Sequence, residues 1–211
     1  MRGGIFDMDG LLFDTEKIYQ EVWHTLARER GFTLPGTFAS EICGKGEKQA
    51  AVVLRKYFVG WDPFEIIETC KATVFELERT RLELKPGARE ILEAMKARGL
   101  RLAVASSSPM FMIKQNLELG GITELFDSLV SGENIPRGKP FPDIFLAAAE
   151  SLQLPPEECW VFEDSLNGIR AGHAAGCKSV MIPDLVAPSE DIIPLCQVFP
   201  TLLEARDRLL N

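Results

Sequence analysis

Residues 7–10 read Asp-Met-Asp-Gly and follow directly on the apolar pair Ile5–Phe6. If that pair closes a buried strand, alternation turns Asp7 and Asp9 to one side and Met8 to the other. Two carboxylates held so close repel unless a cation or a proton compensates them. Three more reactive groups of residues follow. Ser106, Ser107 and Ser108 end the apolar run that starts at Leu102; Lys139 stands in Arg-Gly-Lys-Pro-Phe-Pro-Asp; Glu163 and Asp164 end the run from Cys159. Carboxylates for a metal, a hydroxyl beside exposed amides, and one lysine suit a phosphoryl group. Its transfer rests mostly on positioning and charge neutralisation.

The elements that would position these groups are legible as periodicity. From residue 82 onward, short apolar runs alternate with helical patterns: residues 87–99 place Ile91, Leu92 and Met95 on one face before Gly99 as a stop. Continuous apolar strands alternating with helices predict βαβ units, a parallel sheet covered on both faces, and an α/β fold of the doubly wound kind. In such a sheet ligands sit at the carboxyl ends of the strands, where all four clusters fall. Residues 16–81 break the rhythm with amphipathic helical stretches and no convincing strand. The expected division is a catalytic core of residues 1–14 and 82–211 with a helical cap of residues 15–81. The chain would cross between them near 14–16 and 80–85, with Thr15 and Glu83 as hinge points.

The bulk numbers narrow the class. The chain has 211 residues, 46% apolar and 26% charged, an ordinary globular balance. A net charge of −8 argues against a nucleic-acid polymer as partner. The five cysteines, Cys43, Cys70, Cys159, Cys177 and Cys196, contain no CxxC pair and read as reduced packing thiols. Asp7 follows the start too closely for a signal peptide, and no apolar run approaches membrane-spanning length. A cytoplasmic location with no membrane partner is the expectation.

Taken singly, these motifs carry little. Gly10 falls on an unspecified position of the calcium-loop pattern D-x-[DN]-x-[DN]-G and not on its glycine, Gly138-Lys139-Pro140 lacks the rest of a P-loop, and Gly44–Gln49 lacks the third glycine of a dinucleotide fingerprint. His24 and His173 read as surface or packing residues. In order, however, FDMDG, VASSS, GKPFPDIF and FEDSLNGI resemble the four motifs of the haloacid dehalogenase superfamily. The helical insertion directly after the first motif resembles its β-phosphoglucomutase-like branch, which includes small-molecule phosphatases.

That resemblance implies a Rossmann-like core, a mobile cap and Mg²⁺. It implies that Asp7 is the nucleophile that becomes an aspartyl-phosphate and that Asp9 is the general acid and then base. Ser106, the Ser107 amide and Lys139 would hold the phosphoryl oxygens. Asp7, the Asp9 carbonyl and Asp164 would hold Mg²⁺, with Glu163 ranked behind Asp164 because adjacent strand residues face opposite ways. Tyr19, Trp23, Gly44, Lys45 and Lys48 are the cap candidates for substrate contact. The expected function is a Mg²⁺-dependent phosphatase acting on a small phosphorylated metabolite, a sugar phosphate or a nucleotide monophosphate. The rival is a β-phosphoglucomutase, which in this branch carries a His where Tyr19 stands and an Arg where Glu47 stands. A phospho-aspartate receiver module is the remote third reading, since its acceptor normally ends the third strand and no inserted cap follows.

Overall fold

The computed structural model describes residues 1–210. Among them a six-stranded parallel sheet forms in the order β3-β2-β1-β4-β5-β6. The strands are β1 (Gly3–Phe6), β2 (Arg101–Ser106), β3 (Ser128–Ser131), β4 (Cys159–Glu163), β5 (Lys178–Met181) and β6 (Cys196–Val198). β1 is central: Phe6 pairs with Val104 on one side and Phe162 on the other, and all four of its residues are buried. A strand flanked on both edges and covered on both faces has to be apolar along its whole length. The Phe6 and Phe162 rings stack at 4.4 Å within the larger core cluster.

Helices α5 (Ala88–Ala97), α6 (Met110–Leu119), α7 (Asp143–Ser151), α8 (Leu166–Ala174) and α9 (Leu202–Leu209) cover the sheet. The sheet is the doubly wound arrangement that the alternating pattern predicts. Three of its pieces, β6, α6 and α9, lie outside that pattern.

Between β1 and β2 the chain forms α1 (Thr15–Glu29), α2 (Phe38–Ile42), α3 (Glu47–Tyr57) and α4 (Pro63–Arg81). Ile18, Val22 and Leu26 on α1 pack with Ala50, Val53 and Leu54 on α3 and Ile66, Cys70 and Val74 on α4, in a cluster separate from the two that flank the sheet. α4 starts cleanly because Asp62 accepts from the Phe64 amide at 2.9 Å and Pro63 occupies the first turn. The two connections to this helical insert run side by side. The Asp14 amide donates to the Glu83 carbonyl at 3.0 Å and the Lys85 amide to the Leu12 carbonyl at 2.8 Å, with Phe13 and Leu84 bridged antiparallel between them. Among the described residues, no helix is long and apolar enough to cross a membrane.

Candidate active site

The carboxyl ends of β1, β2 and β4 are adjacent in the sheet, so residues distant in sequence meet above it. β1 ends at Phe6, but the Asp7 amide continues the ladder to the Phe162 carbonyl at 3.0 Å. Met8 points into the core, while Asp7 and Asp9 line a cavity of about 570 Å³ between sheet and insert. The sharp turn after Asp9 uses Gly10 at φ +78°, where a β-carbon would stand 2.6 Å from Asp164 Oδ2. Only glycine takes that conformation and that approach together.

Lys139 Nζ is shared between Asp7 Oδ1 and Glu163 Oε1, each at 2.5 Å, and its side chain is 9% exposed. The other Glu163 oxygen accepts from the Ser165 amide at 3.0 Å and the Ser165 hydroxyl at 2.8 Å. On the opposite flank, Asp9 Oδ2 accepts from Ser108 Oγ at 2.7 Å and Ser106 Oγ at 3.2 Å. The Ser108 amide closes this loop by donating to Ser106 Oγ at 3.0 Å. Ser107 is exposed toward the cavity. Thr15, fully buried at the start of α1, accepts from the Gly10 amide at 3.2 Å.

The electrostatics follow from crowding. Burial pushes the Asp7 carboxyl up to about 8; Lys139 opposes the rise, while Glu163 and Asp9 add to it. Burial also raises Asp9, against hydrogen bonds from Ser108, Thr15 and Ser106, and raises Asp164 strongly, with Glu163 and Asp7 adding to it. Burial alone would lower Lys139, but Asp7 and Glu163 outweigh it and hold its proton firmly. One ammonium thus faces three carboxylates, an excess of negative charge that a bound cation would remove.

The donors fit such a cation. One oxygen each from Asp7, Glu163 and Asp164 lies within 4.8 Å of the others, an all-carboxylate set of the kind Mg²⁺ takes. The strand-alternation reason for ranking Asp164 over Glu163 does not apply, because β4 ends at Glu163 and both side chains reach the same spot. The Glu163 oxygens are instead engaged by Lys139 and Ser165, whereas Asp164 lines the cavity.

Above this floor, the insert supplies Tyr19, Trp23, Gly44 and Lys45 as cavity lining. Lys48 is exposed and lies off the cavity, since Ala50, Ala51, Val53 and Leu54 form the buried face of α3 and turn Lys48 to solvent. The structure also brings in residues that the sequence analysis gives no role. Glu16 accepts from Cys43 Sγ at 3.1 Å, and burial, with Asp9 and Asp184 adding, pushes its carboxyl up to about 7. Lys71 lines the roof and bonds Glu47 at 3.3 Å and Glu68 at 3.0 Å. Asn167, at the base of α8, donates to the Gly44 carbonyl at 3.3 Å and so joins core to insert.

Comparison with known proteins matches residues 4–182 to a family model described as haloacid dehalogenase-like hydrolase. The chain is 34% identical over 183 residues to the phosphorylated carbohydrates phosphatase of Thermotoga maritima, covering 85% of this chain and 84% of that one. It is 32% identical over 200 residues to hexitol phosphatase B of Escherichia coli strain K12, covering 92% and 89%. In fold it is similar to the beta-phosphoglucomutase of Clostridium difficile, with a TM-score of 0.79, 21% identity, and 97% and 92% of the two chains covered.

Proposed function

Because the chain belongs to the haloacid dehalogenase-like hydrolase family, we propose that it is a Mg²⁺-dependent phosphatase of a small phosphorylated metabolite, working through an aspartyl-phosphate on Asp7. The observation that carries this reading is the contrast between two neighbouring carboxylates. Asp7 is ion-paired to Lys139, while Asp9 is held only by hydroxyls. A carboxylate that shares a lysine and a cation site differs in partners from one that meets only hydroxyls, and that difference separates their roles.

Asp7, kept ionised by Lys139 and the cation, attacks phosphorus in line. Asp9, whose proton burial favours, gives it to the leaving oxygen. Once the alcohol has left, Asp9 takes a proton from the water that attacks the aspartyl-phosphate, which returns both carboxylates to their starting states. Ser106 turns its hydroxyl from Asp9 to a phosphoryl oxygen, the Ser107 amide donates beside it, and Lys139 spans Asp7 and the phosphoryl group. Asp7, the Asp9 carbonyl and Asp164 would hold Mg²⁺, which when bound would neutralise phosphoryl charge. Glu163 keeps Lys139 aimed. The helical insert acts as a cap that excludes water while the ester is bound.

A phosphorylated carbohydrate is the favoured substrate class. Glu16, Glu47 and Lys71 give the roof hydrogen-bonding groups suited to hydroxyls, and the relatives are named for phosphorylated carbohydrates and hexitols. The rival mutase would need a fixed cation in the cap for a second phosphate. Here Glu47 and Glu68 together hold Lys71, leaving net negative charge at that place. The test is phosphate release from a panel of sugar, sugar-alcohol and nucleoside monophosphates with Mg²⁺. Release from a carbohydrate phosphate, well above any conversion of β-glucose 1-phosphate to glucose 6-phosphate, is expected. Efficient interconversion that depends on a bisphosphate primer would overturn the reading.

A further inference from the structure

α4 and α6 touch along one stripe that joins insert to core. Phe75 meets Phe111 edge to face at 5.2 Å, and Gln115 Nε2 donates to the Phe75 carbonyl at 3.4 Å. One turn further along, Glu78 and Asn116 complete the row, 1% and 0% exposed. Neither Glu78 oxygen makes a hydrogen bond of ordinary geometry, and neither polar atom of the Asn116 amide does. The amide nevertheless acts on the carboxyl across the interface. Glu78 stands one turn before the chain returns to the core through residues 82–85, and α6 begins just past Ser108.

We propose that Glu78 and Asn116 form a proton-dependent latch between the helical insert and the α/β core. With Glu78 protonated the two helices stay packed; with Glu78 ionised the carboxylate moves into water and the insert swings open about its two connections. The latch rests on reading the insert as a hinged cap and adds what governs the hinge.

The chemistry of the pair supports it. A protonated carboxyl has one donor and one acceptor, and so does the edge of a carboxamide, so a small shift closes two hydrogen bonds. An ionised carboxylate offers only acceptors, so it takes one hydrogen bond from the amide NH2 and gives none to the amide oxygen, one fewer than the protonated pair makes. The groups that act on Glu78 are Asn116 from α6, whose amide favours the anion, Asp9 from the loop after β1, which opposes it, and Tyr19 from α1, whose phenol Glu78 helps push up. Arg81, on the next turn of α4, is engaged by both oxygens of Glu21. Burial first, and Asp9 second, outweigh the Asn116 amide and push the Glu78 carboxyl up to about 8, against 4.5 for an open glutamate. A carboxyl with its pKa raised in the packed state favours packing most fully below the open value. That preference is lost as pH rises through the packed value, so the latch loosens across the window from 4.5 to about 8.

Hydrogen exchange on the full chain, without metal or substrate, tests this. Amides of residues 75–82 and 110–119 are followed in the wild type and in Glu78→Gln at pH 5.5 and 8.5, and the ratio of the two proteins' rates cancels the intrinsic pH dependence. The ratio is expected to rise at least tenfold between the two values; an unchanged ratio overturns the latch. Should Glu78→Gln not fold, wild-type protection of the α4–α6 amides is compared with that of β1 and β2 in the same molecule. The helices should lose protection with pH relative to the strands, and parallel behaviour would sink the idea. Phosphate release at one fixed pH is measured separately. Release with a flat exchange ratio removes the latch alone, and a pH-dependent ratio without release removes the phosphatase reading alone.

Discussion

The Glu163 carboxylate rests on the Cα of Gly168: a β-carbon built there would stand 1.8 Å from Glu163 Cδ. No side chain fits, so Gly168→Ala must drive Glu163 off Lys139 or push α8 away from β4. Lys139 would then lose one of its two anchors. The expected result is a ~10–100-fold loss of phosphatase activity, the scale typical when a supporting partner of a metal-site residue is displaced. A lowered melting temperature should accompany it. Native activity in Gly168→Ala would show that Glu163 does not position the lysine.

Asp7→Asn should abolish turnover, because an amide neither attacks phosphorus nor holds a cation well. Asp9→Asn should cost about 10²–10⁴-fold, the share of general acid–base catalysis. It should still form the phospho-enzyme from an ester whose leaving group needs no proton. Rapid-quench trapping of phosphate on the protein separates the two variants.

Asp164→Ala and Glu163→Gln should differ in kind. Asp164 lines the cavity, whereas both Glu163 oxygens are engaged by Lys139 and Ser165. Loss of Asp164 should raise the Mg²⁺ concentration for half-activity by more than the ~10–100-fold of an outer partner. Loss of Glu163 should lower the maximal rate with a smaller effect on Mg²⁺. Equal shifts in the Mg²⁺ titration would make both carboxylates direct ligands.

Among the described residues, five carboxyls carry raised pKa values: Asp9 and Asp164, with Asp7 pushed up to about 8, Glu16 to about 7 and Glu78 to about 8. The folded state therefore binds more protons than the unfolded one between the ordinary carboxylate range and these values. Such stability is fully present at the acid end of the window and is lost as pH rises through it. Calorimetry in chelator should show the melting temperature falling from pH 5 to 8. Saturating Mg²⁺ should flatten that slope, because a cation beside Asp7 offsets its share. A slope indifferent to Mg²⁺ would count against Asp7 as a ligand.

The motif residues are legible because the carboxylates and serines stand where an apolar strand turns polar and Lys139 sits in the loop that follows one, and five of the strands announce themselves by composition. The remainder was hidden for definable reasons. β6 is three residues long and mostly exposed at the sheet edge, so it shows no period. α6 opens on Met110-Phe111-Met112-Ile113, apolar on every side, because one face covers the sheet while Phe111 meets α4. Glu16 reads as a solvent-facing helix residue, and only the fold of Cys43 over it makes it a cavity group. Lys71 belongs to the roof because α3 packs on α4 and delivers Glu47, a pairing across 24 residues that no local spacing encodes. Lys48 was misplaced for the converse reason: its neighbours decide which face of α3 is inside.

The central place of β1 has a consequence for how the molecule comes into being. β1 finds its neighbour β2 only after the whole helical insert has been made, and its other neighbour β4 only after most of the core has followed. The insert, whose helices contact one another at short range, can assemble while β1 waits, and long-range strand pairing is the slow part of folding. Until residue 139 is synthesised, a nascent chain carries Asp7 without its counter-charge. Asp7 is thus the earliest of the site residues to be made and among the last to be housed.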